Sequence, residues 1–272
     1  MANALEEVKA DIQGQLKASG RCHLFLDYDG TLTPIADRPE KALVSEATGH
    51  VLSKLQAIPA VRLTVISGRS LADLSRLLPL SNLILAGNHG LEIKGKGLKY
   101  IDPEAARQKD LINRLSQRLA ERCAKLPGAI VENKGLTLSL HYRLVEPQRR
   151  GEIAALLLDA LAQEDTADQL SMRPGKMIYE LRPKVNWDKG QAALWILGKL
   201  YGPDWAETCL TIYVGDDVTD EDAFRALKGK AFTVLVRAEE RETAAGYYLT
   251  GPARVIDFLS WLADRAERVV DN

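Results

Sequence analysis

Predominantly apolar runs recur along the chain at residues 22–26, 61–66, 83–86, 210–214 and 231–236, each closed by a turn-forming or charged residue. Short runs with apolar residues on both faces predict strands buried on both sides. Between them the period changes. Residues 45–58 place Ala47, Val51, Leu55 and Ile58 on one helical face, and residues 71–78 read as a helix with Ser70 as its N-cap. Buried strands alternating with helices predict an α/β fold, a Rossmann-like parallel sheet covered by helices.

The middle of the chain has a different pattern. In residues 136–143, Leu136, Leu138, Leu140 and Tyr142 alternate with Thr137, Ser139, His141 and Arg143, the period of a strand with one covered and one open face. Asn133-Lys134-Gly135 supplies a turn before it. A second such strand, 176–182, puts Met177, Tyr179 and Leu181 on one face and Lys176, Glu180 and Arg182 on the other, with Ile178 as the exception. Helical segments at 104–126 and 147–163 precede these strands and would cover their apolar face. The expectation is an inserted α+β domain at 109–183, interrupting a core made of 1–108 and 184–272. Its open face would carry His141, Arg143, Lys176, Glu180 and Arg182.

The 272 residues are 46% hydrophobic and 27% charged with a formal net charge of -1, so bulk electrostatics favour neither nucleic acid nor an anionic membrane as partner. An anion site must be local. Cys22, Cys123 and Cys209 are scattered, odd in number and without metal-ligand spacing, which suits reduced thiols. The first twenty residues mix charges through an amphipathic helical pattern, and no later stretch approaches about 18 consecutive apolar residues. A cytoplasmic monomer acting on a small molecule is expected.

Candidate chemistry gathers where predicted strands end, which is where open parallel sheets bind ligands. Asp27-Tyr28-Asp29-Gly30-Thr31-Leu32 follows the first strand. An isolated Asp-x-Asp is commonly a solvated turn, but a preceding buried strand and a following Gly-Thr point to chemistry. After the fourth strand, Gly215 to Asp222 holds five carboxylates in eight positions. They would repel one another without a neutralising cation. Asp220, Glu221 and Asp222 also suit the first turn of a helix, whereas Asp216 reads as a metal ligand. Oxygen ligands with no His or Cys beside them favour Mg²⁺ over zinc. Ser67-Gly68-Arg69 ends another strand, and its hydroxyl and N–H groups suit a phosphate oxygen. Lys189, in Asn186-Trp187-Asp188-Lys189-Gly190, opens a helix at 191–200 and can neutralise a phosphoryl oxygen and a neighbouring Asp. His89, after Gly87-Asn88, either lines the cleft or forms a turn.

These elements, at 26–32, 66–68, 189 and 215–220, resemble the four motifs of the haloacid-dehalogenase superfamily of phosphatases. The longer strings 27–35, 87–90, 187–190 and 215–221 resemble the trehalose-6-phosphate phosphatase family. The resemblance implies a Mg²⁺-dependent sugar phosphatase that completes trehalose biosynthesis. It implies Asp27 as nucleophile and Asp29 as general acid and then base. It places the metal between the Asp27 carboxylate, the Asp29 main-chain carbonyl and Asp216. Ser67 and Lys189 would bind non-bridging oxygens, Tyr28 would join the substrate contacts, and Asp217 and Asp220 would orient Lys189 or metal-bound water. The inserted segment would be a cap in which Lys176 and Glu180 contact sugar, with His141 and Arg143 beside them. A different sugar phosphate such as sucrose 6-phosphate, a phosphomutase, or a non-catalytic regulatory module share parts of this pattern.

Overall fold

The computed structural model describes residues 2–164, 168–237 and 239–270. Along the chain, a short strand β1 (Asn3–Ala4) and helix α1 (Lys9–Ser19) lead into β2 (Cys22–Leu26), α2 (Glu46–Ala57), β3 (Val61–Ile66), α3 (Leu71–Leu77) and β4 (Leu83–Gly87). Then follow β5 (Glu92–Gly95), β6 (Leu98–Ile101), α4 (Pro103–Arg107), α5 (Lys109–Cys123), β7 (Ile130–Asn133), β8 (Leu138–His141), α6 (Gly151–Ala162), β9 (Leu170–Gly175) and β10 (Ile178–Pro183). The last stretch holds α7 (Lys189–Tyr201), α8 (Trp205–Thr208), β11 (Leu210–Gly215), α9 (Asp220–Ala226), β12 (Phe232–Val236), β13 (Tyr247–Leu249) and α10 (Pro252–Val270). Two compact units result, 1–100 with 187–272, and 101–186.

The first unit is built on a nine-stranded sheet among the described residues, ordered β1-β13-β12-β11-β2-β3-β4-β5-β6. From β1 to β4 every neighbouring pair is parallel, and β5 then runs antiparallel to β4. With a strand period of two and both faces covered, β2 is buried throughout. Cys22, Leu24 and Leu26 enter one apolar layer, with residues of α1, α2 and α10, while Phe25 enters the other, with residues of α7 and α9. His23, also buried, bridges the Tyr201 hydroxyl at 3.1 Å and the Thr64 hydroxyl at 2.8 Å, so it belongs to the scaffold. Strand order reverses between β2 and β11. From β2 the chain works outward through β3 and β4; from β11 it works the other way through β12 and β13. The crevice at such a reversal lies beyond the carboxyl ends of the two central strands, the points at which Asp27 and Asp216 leave the sheet.

The two ends of the intervening segment are held by aromatic packing within the first unit. Tyr100 stacks on Trp187 with ring centroids 4.6 Å apart and meets Trp195 at 5.0 Å. Trp187 Nε1 also donates to the Gly90 carbonyl at 2.8 Å.

The second unit carries an antiparallel sheet ordered β7-β8-β10-β9. Leu138, Leu140 and Leu181 point to the face covered by Leu111, Ile112, Leu115 and Leu119 of α5 and by Ile153 and Leu157 of α6. The sequence places one helix over 104–126, but the structure interrupts it at Gln108. The strand expected from Lys176 begins at Ile178 instead. Lys176 and Met177 form the β9–β10 connection, with Met177 at φ 65.

Candidate active site

Asp27 follows directly on β2, its N–H donating to the Val214 carbonyl of β11 at 2.9 Å. The chain then turns sharply. Leu32 and Thr33 both donate to the Tyr28 carbonyl, and Gly30 donates to the Thr33 carbonyl at 2.7 Å. Gly30 sits at φ +91, and a Cβ there would stand 2.2 Å from Asp216 Oδ2, so only glycine permits both the turn and the approach of the two acidic loops. Lys189, the first residue of α7, is presented by a helix start whose cap, Asp188, accepts from the Gln191 N–H at 2.9 Å. Its ammonium donates to Asp27 Oδ1 at 2.7 Å and to Asp220 Oδ1 at 2.8 Å. All three side chains are buried.

Asp220, on the first turn of α9, has both oxygens engaged. Tyr213 of β11 donates its hydroxyl to Oδ1 at 2.8 Å, and the Asp217 N–H donates to Oδ2 at 3.0 Å. Asp217 thus meets the cluster through its main chain. Burial, reinforced by the Asp220 and Asp27 carboxylates, raises the Tyr213 hydroxyl well above its ordinary value, so it remains a donor. Tyr213→Phe is expected to lower unfolding free energy by about 1.5–3 kcal/mol, the usual worth of a hydrogen bond to a charged acceptor, as read from denaturant midpoints.

Carboxylate oxygens of Asp27, Asp216 and Asp220 lie within 4.8 Å of one another. Burial pushes the Asp27 carboxyl well above the ordinary range; Lys189 opposes the rise, and Asp220 and Asp216 add to it. Burial also works against the charge on Lys189, but Asp220 and Asp27 outweigh it and carry its pKa upward. Three carboxylates thus face one ammonium. Arg241 reaches the Asp216 carbonyl at 3.0 Å and lies 3.4 Å from Glu221, a second carboxylate of α9. The all-oxygen donor set and the space that Gly30 alone keeps open fit a hard divalent cation.

Asp29 has a different partner. Arg69 Nε donates to Asp29 Oδ2 and Arg69 Nη2 to Oδ1, both at 2.7 Å. The sequence marks Ser67-Gly68-Arg69 but not this pairing, which spans forty positions and follows only from β2 lying beside β3. With Leu26 opposite Val65, Ser67 leaves β3 one position past the level of Asp27; it is buried, and its hydroxyl accepts from the Arg69 N–H at 3.2 Å. Tyr28, expected among the substrate contacts, has a fully buried phenol that donates to the Ala42 carbonyl at 2.8 Å. That phenol belongs to the core, and only the main chain of Tyr28 remains for a ligand. His89 adopts φ 59 and packs its ring on Gly68, where a Cβ would stand 2.6 Å from Cε1, so it shapes the Ser67–Arg69 turn.

A model of the trehalose-phosphatase family matches residues 25–253. The chain belongs to the trehalose-phosphatase family. A trehalose-phosphate phosphatase of Mycobacterium marinum is 36% identical over 247 residues, covering 89% of this chain and 61% of that protein. A probable trehalose-phosphate phosphatase I of Arabidopsis thaliana is 33% identical over 254 residues, covering 89% of this chain and 67% of that one. This chain therefore spans under two thirds of the length of the mycobacterial relative. Among solved structures, the C-terminal domain of trehalose-6-phosphate phosphatase from C. albicans has a TM-score of 0.78 at 26% identity, covering 97% of this chain and 99% of that one. No described helix is long and apolar enough to cross a membrane.

In the second unit of this trehalose-phosphatase family member, the sheet face away from its helices is polar. Glu132, Ser139, Glu180 and Arg173 stand opposite one another in register across the four strands. Glu180 is buried and lies 3.3 Å from Lys134 Nζ, while Arg182 Nη2 approaches its other oxygen at 2.5 Å. His141 Nε2 donates to Glu132 Oε2 at 2.8 Å. Arg143 lies beyond β8 and donates to the Lys176 carbonyl at 3.1 Å, at the β9–β10 connection. Sequence reasoning names His141, Glu180 and Arg182 on this face but omits Glu132 and Lys134. The period of two was the available signal: Glu132 and Lys134 flank Asn133 just as Thr137 and Ser139 flank Leu138.

Proposed function

We propose that this chain hydrolyses trehalose 6-phosphate to trehalose and phosphate through an aspartyl phosphate on Asp27. The observation that carries the reading is the buried Lys189 ammonium held between Asp27 and Asp220, with Asp216 alongside. An Asp27 carboxylate oxygen attacks phosphorus as the bond to the sugar oxygen breaks, and Asp29, as a carboxylic acid, gives that oxygen its proton. Asp29 then takes a proton from water as the water oxygen attacks phosphorus. The bond to Asp27 breaks, leaving phosphate, the free Asp27 carboxylate and a reprotonated Asp29. Lys189 and Ser67 hold non-bridging oxygens, and Lys189 stays cationic because Asp220 and Asp27 flank it.

Mg²⁺ fits the oxygen cluster, and Asp216, Asp27 and the Asp29 main-chain carbonyl would hold it. When bound it supplies charge compensation for the transferring phosphoryl group. Asp220, its oxygens already engaged by Lys189, Tyr213 and the Asp217 N–H, orients the lysine. The polar face of the second unit, centred on Glu180 with Lys134, Glu132 and His141, takes sugar hydroxyls, and Lys176 and Arg143 at its end extend it. A disaccharide offers many such hydroxyls, and charged donors and acceptors bind them well. The protein works as a cytoplasmic monomer, in keeping with three free, buried thiols.

The deciding measurement is phosphate release from trehalose 6-phosphate, sucrose 6-phosphate and glucose 6-phosphate at equal concentration, with Mg²⁺ and with EDTA. Strong preference for trehalose 6-phosphate, abolished by EDTA and restored by Mg²⁺, is expected. Equal rates across the panel would retire the trehalose assignment. Undiminished rates in EDTA would retire the metal, and no release from any ester would leave a non-catalytic module.

A further inference from the structure

Arg69 has no part in the chemistry so far, yet it is the most heavily bonded cation near the site. Its side chain is only 6% exposed against 39% for Asp29. Nε donates to Asp29 Oδ2 at 2.7 Å, Nη1 to Asp73 Oδ2 at 2.7 Å, and Nη2 to both Asp29 Oδ1 at 2.7 Å and the Pro39 carbonyl at 2.9 Å. The guanidinium also lies over the Tyr28 ring, 5.0 Å from its centroid. Asp73 is itself anchored, since it sits in the first turn of α3 and Arg76 donates to its other oxygen at 2.5 Å. Arg69 is therefore fixed by the scaffold, and Asp29 is the partner with room to move.

A fork-to-fork pair occupies both carboxylate oxygens. While it is closed, the guanidinium and not the leaving group sets the direction of both Asp29 oxygens. The two bonds differ in what opening them would leave behind. Nε has Asp29 Oδ2 as its acceptor, so breaking that bond strands a buried donor. Nη2 keeps the Pro39 carbonyl when Oδ1 departs. We infer that Arg69 is the positioning residue for Asp29: it holds the carboxylate at rest through both oxygens, then acts as a pivot at Oδ2 while Oδ1 swings free, takes up a proton from solvent and gives it to the leaving group. The inference rests on the reading of Asp29 as acid and base.

Kinetics of Arg69→Lys and Arg69→Ala on trehalose 6-phosphate, a poor leaving group, and on an aryl phosphate, a good one, test it. Lysine keeps a cation but cannot form the fork, so Arg69→Lys stays informative should the alanine variant fold poorly. Both variants are expected to lose kcat/KM, which reports phosphoryl transfer to Asp27 and not the shared hydrolysis of the phosphoenzyme, on the sugar phosphate by roughly 10²-fold, the usual effect of misplacing a catalytic group. On the aryl phosphate the loss in kcat/KM should stay within about 3-fold. Introduced into Asp29→Asn, Arg69→Lys should add no further leaving-group dependence. Equal losses on both esters, or no loss, would overturn the positioning role, as would a full additive loss in the double variant. The parent reading fails separately: were Asp29→Asn alone to lower kcat/KM equally for both esters, Asp29 would not be the acid.

Discussion

Asp27→Asn is expected to abolish turnover and to raise the stability of the metal-free protein. The activity loss is expected to be on the order of 10⁴-fold or more, because the amide cannot form the phosphoenzyme. Asp220 cannot substitute, its oxygens being held by Lys189, Tyr213 and the Asp217 N–H. The stability gain follows from the upward shift of Asp27 from its ordinary value of 3.8, caused first by burial and only partly offset by Lys189. An acid whose folded pKa is raised binds its proton more tightly in the native state, so the native state loses ground as pH rises from about 4 towards the folded pKa. Asparagine removes that penalty. In EDTA at neutral pH the variant should melt above its parent, and the difference should close on acidification into the ordinary carboxylate range. A variant that melts below its parent under those conditions would show that Asp27 stabilises the fold through Lys189.

Lys189→Met is expected to be as severe for activity and, unlike Asp27→Asn, costly to the fold. Lys189 is nearly inaccessible, and its removal leaves Asp27 and Asp220 facing each other and Asp216 without their ammonium. Breaking a buried pair by deleting one partner typically costs about 3–5 kcal/mol. Denaturant midpoints at neutral pH without metal should show a loss of that order. The deficit should shrink on acidification, because protonating the two aspartates removes the repulsion that lysine had relieved. Lys189→Met with Asp27→Asn should recover part of the stability and none of the activity. Were the double variant no more stable than Lys189→Met alone, the charge argument would be wrong and lost packing of the lysine stem would be the cause.

The parts of the fold legible in sequence are those whose environment is uniform. Strands β2, β3, β4, β11 and β12 lie in the sheet interior with helices on both faces, so each is a run of apolar residues with few interruptions. Strands at the margins carry no such signature. β1 has two residues, β13 follows a polar loop, and β5 and β6 are half-covered and rich in Gly and Lys. β9 carries no strand signature because Arg173-Pro174-Gly175 occupies its second half; it is an edge strand, where proline is tolerated. In the site, Asp27, Asp216 and Lys189 each follow from a charged residue placed at the end or start of a regular element. The grip of Arg69 on Asp29 does not, since an arginine after Ser-Gly carries no local mark of its partner, and only parallel pairing of β2 with β3 makes them neighbours.

The stacking of Tyr100 on Trp187 bears on how such a protein can diversify. A segment hung from a neck that is already closed imposes little on its host: by chain statistics, doubling the length of a loop between fixed ends costs only about 0.6 kcal/mol. Residues 101–186 form a compact unit between those two rings. Recombination can therefore lengthen, shorten or replace that unit while the rings keep the entry and exit of the chain together. On the proposed reading, in which 101–186 takes the sugar hydroxyls, the phosphate chemistry and the choice of sugar become separately inheritable traits, and a chimera that exchanges the segment between the rings is the natural way to move one without the other.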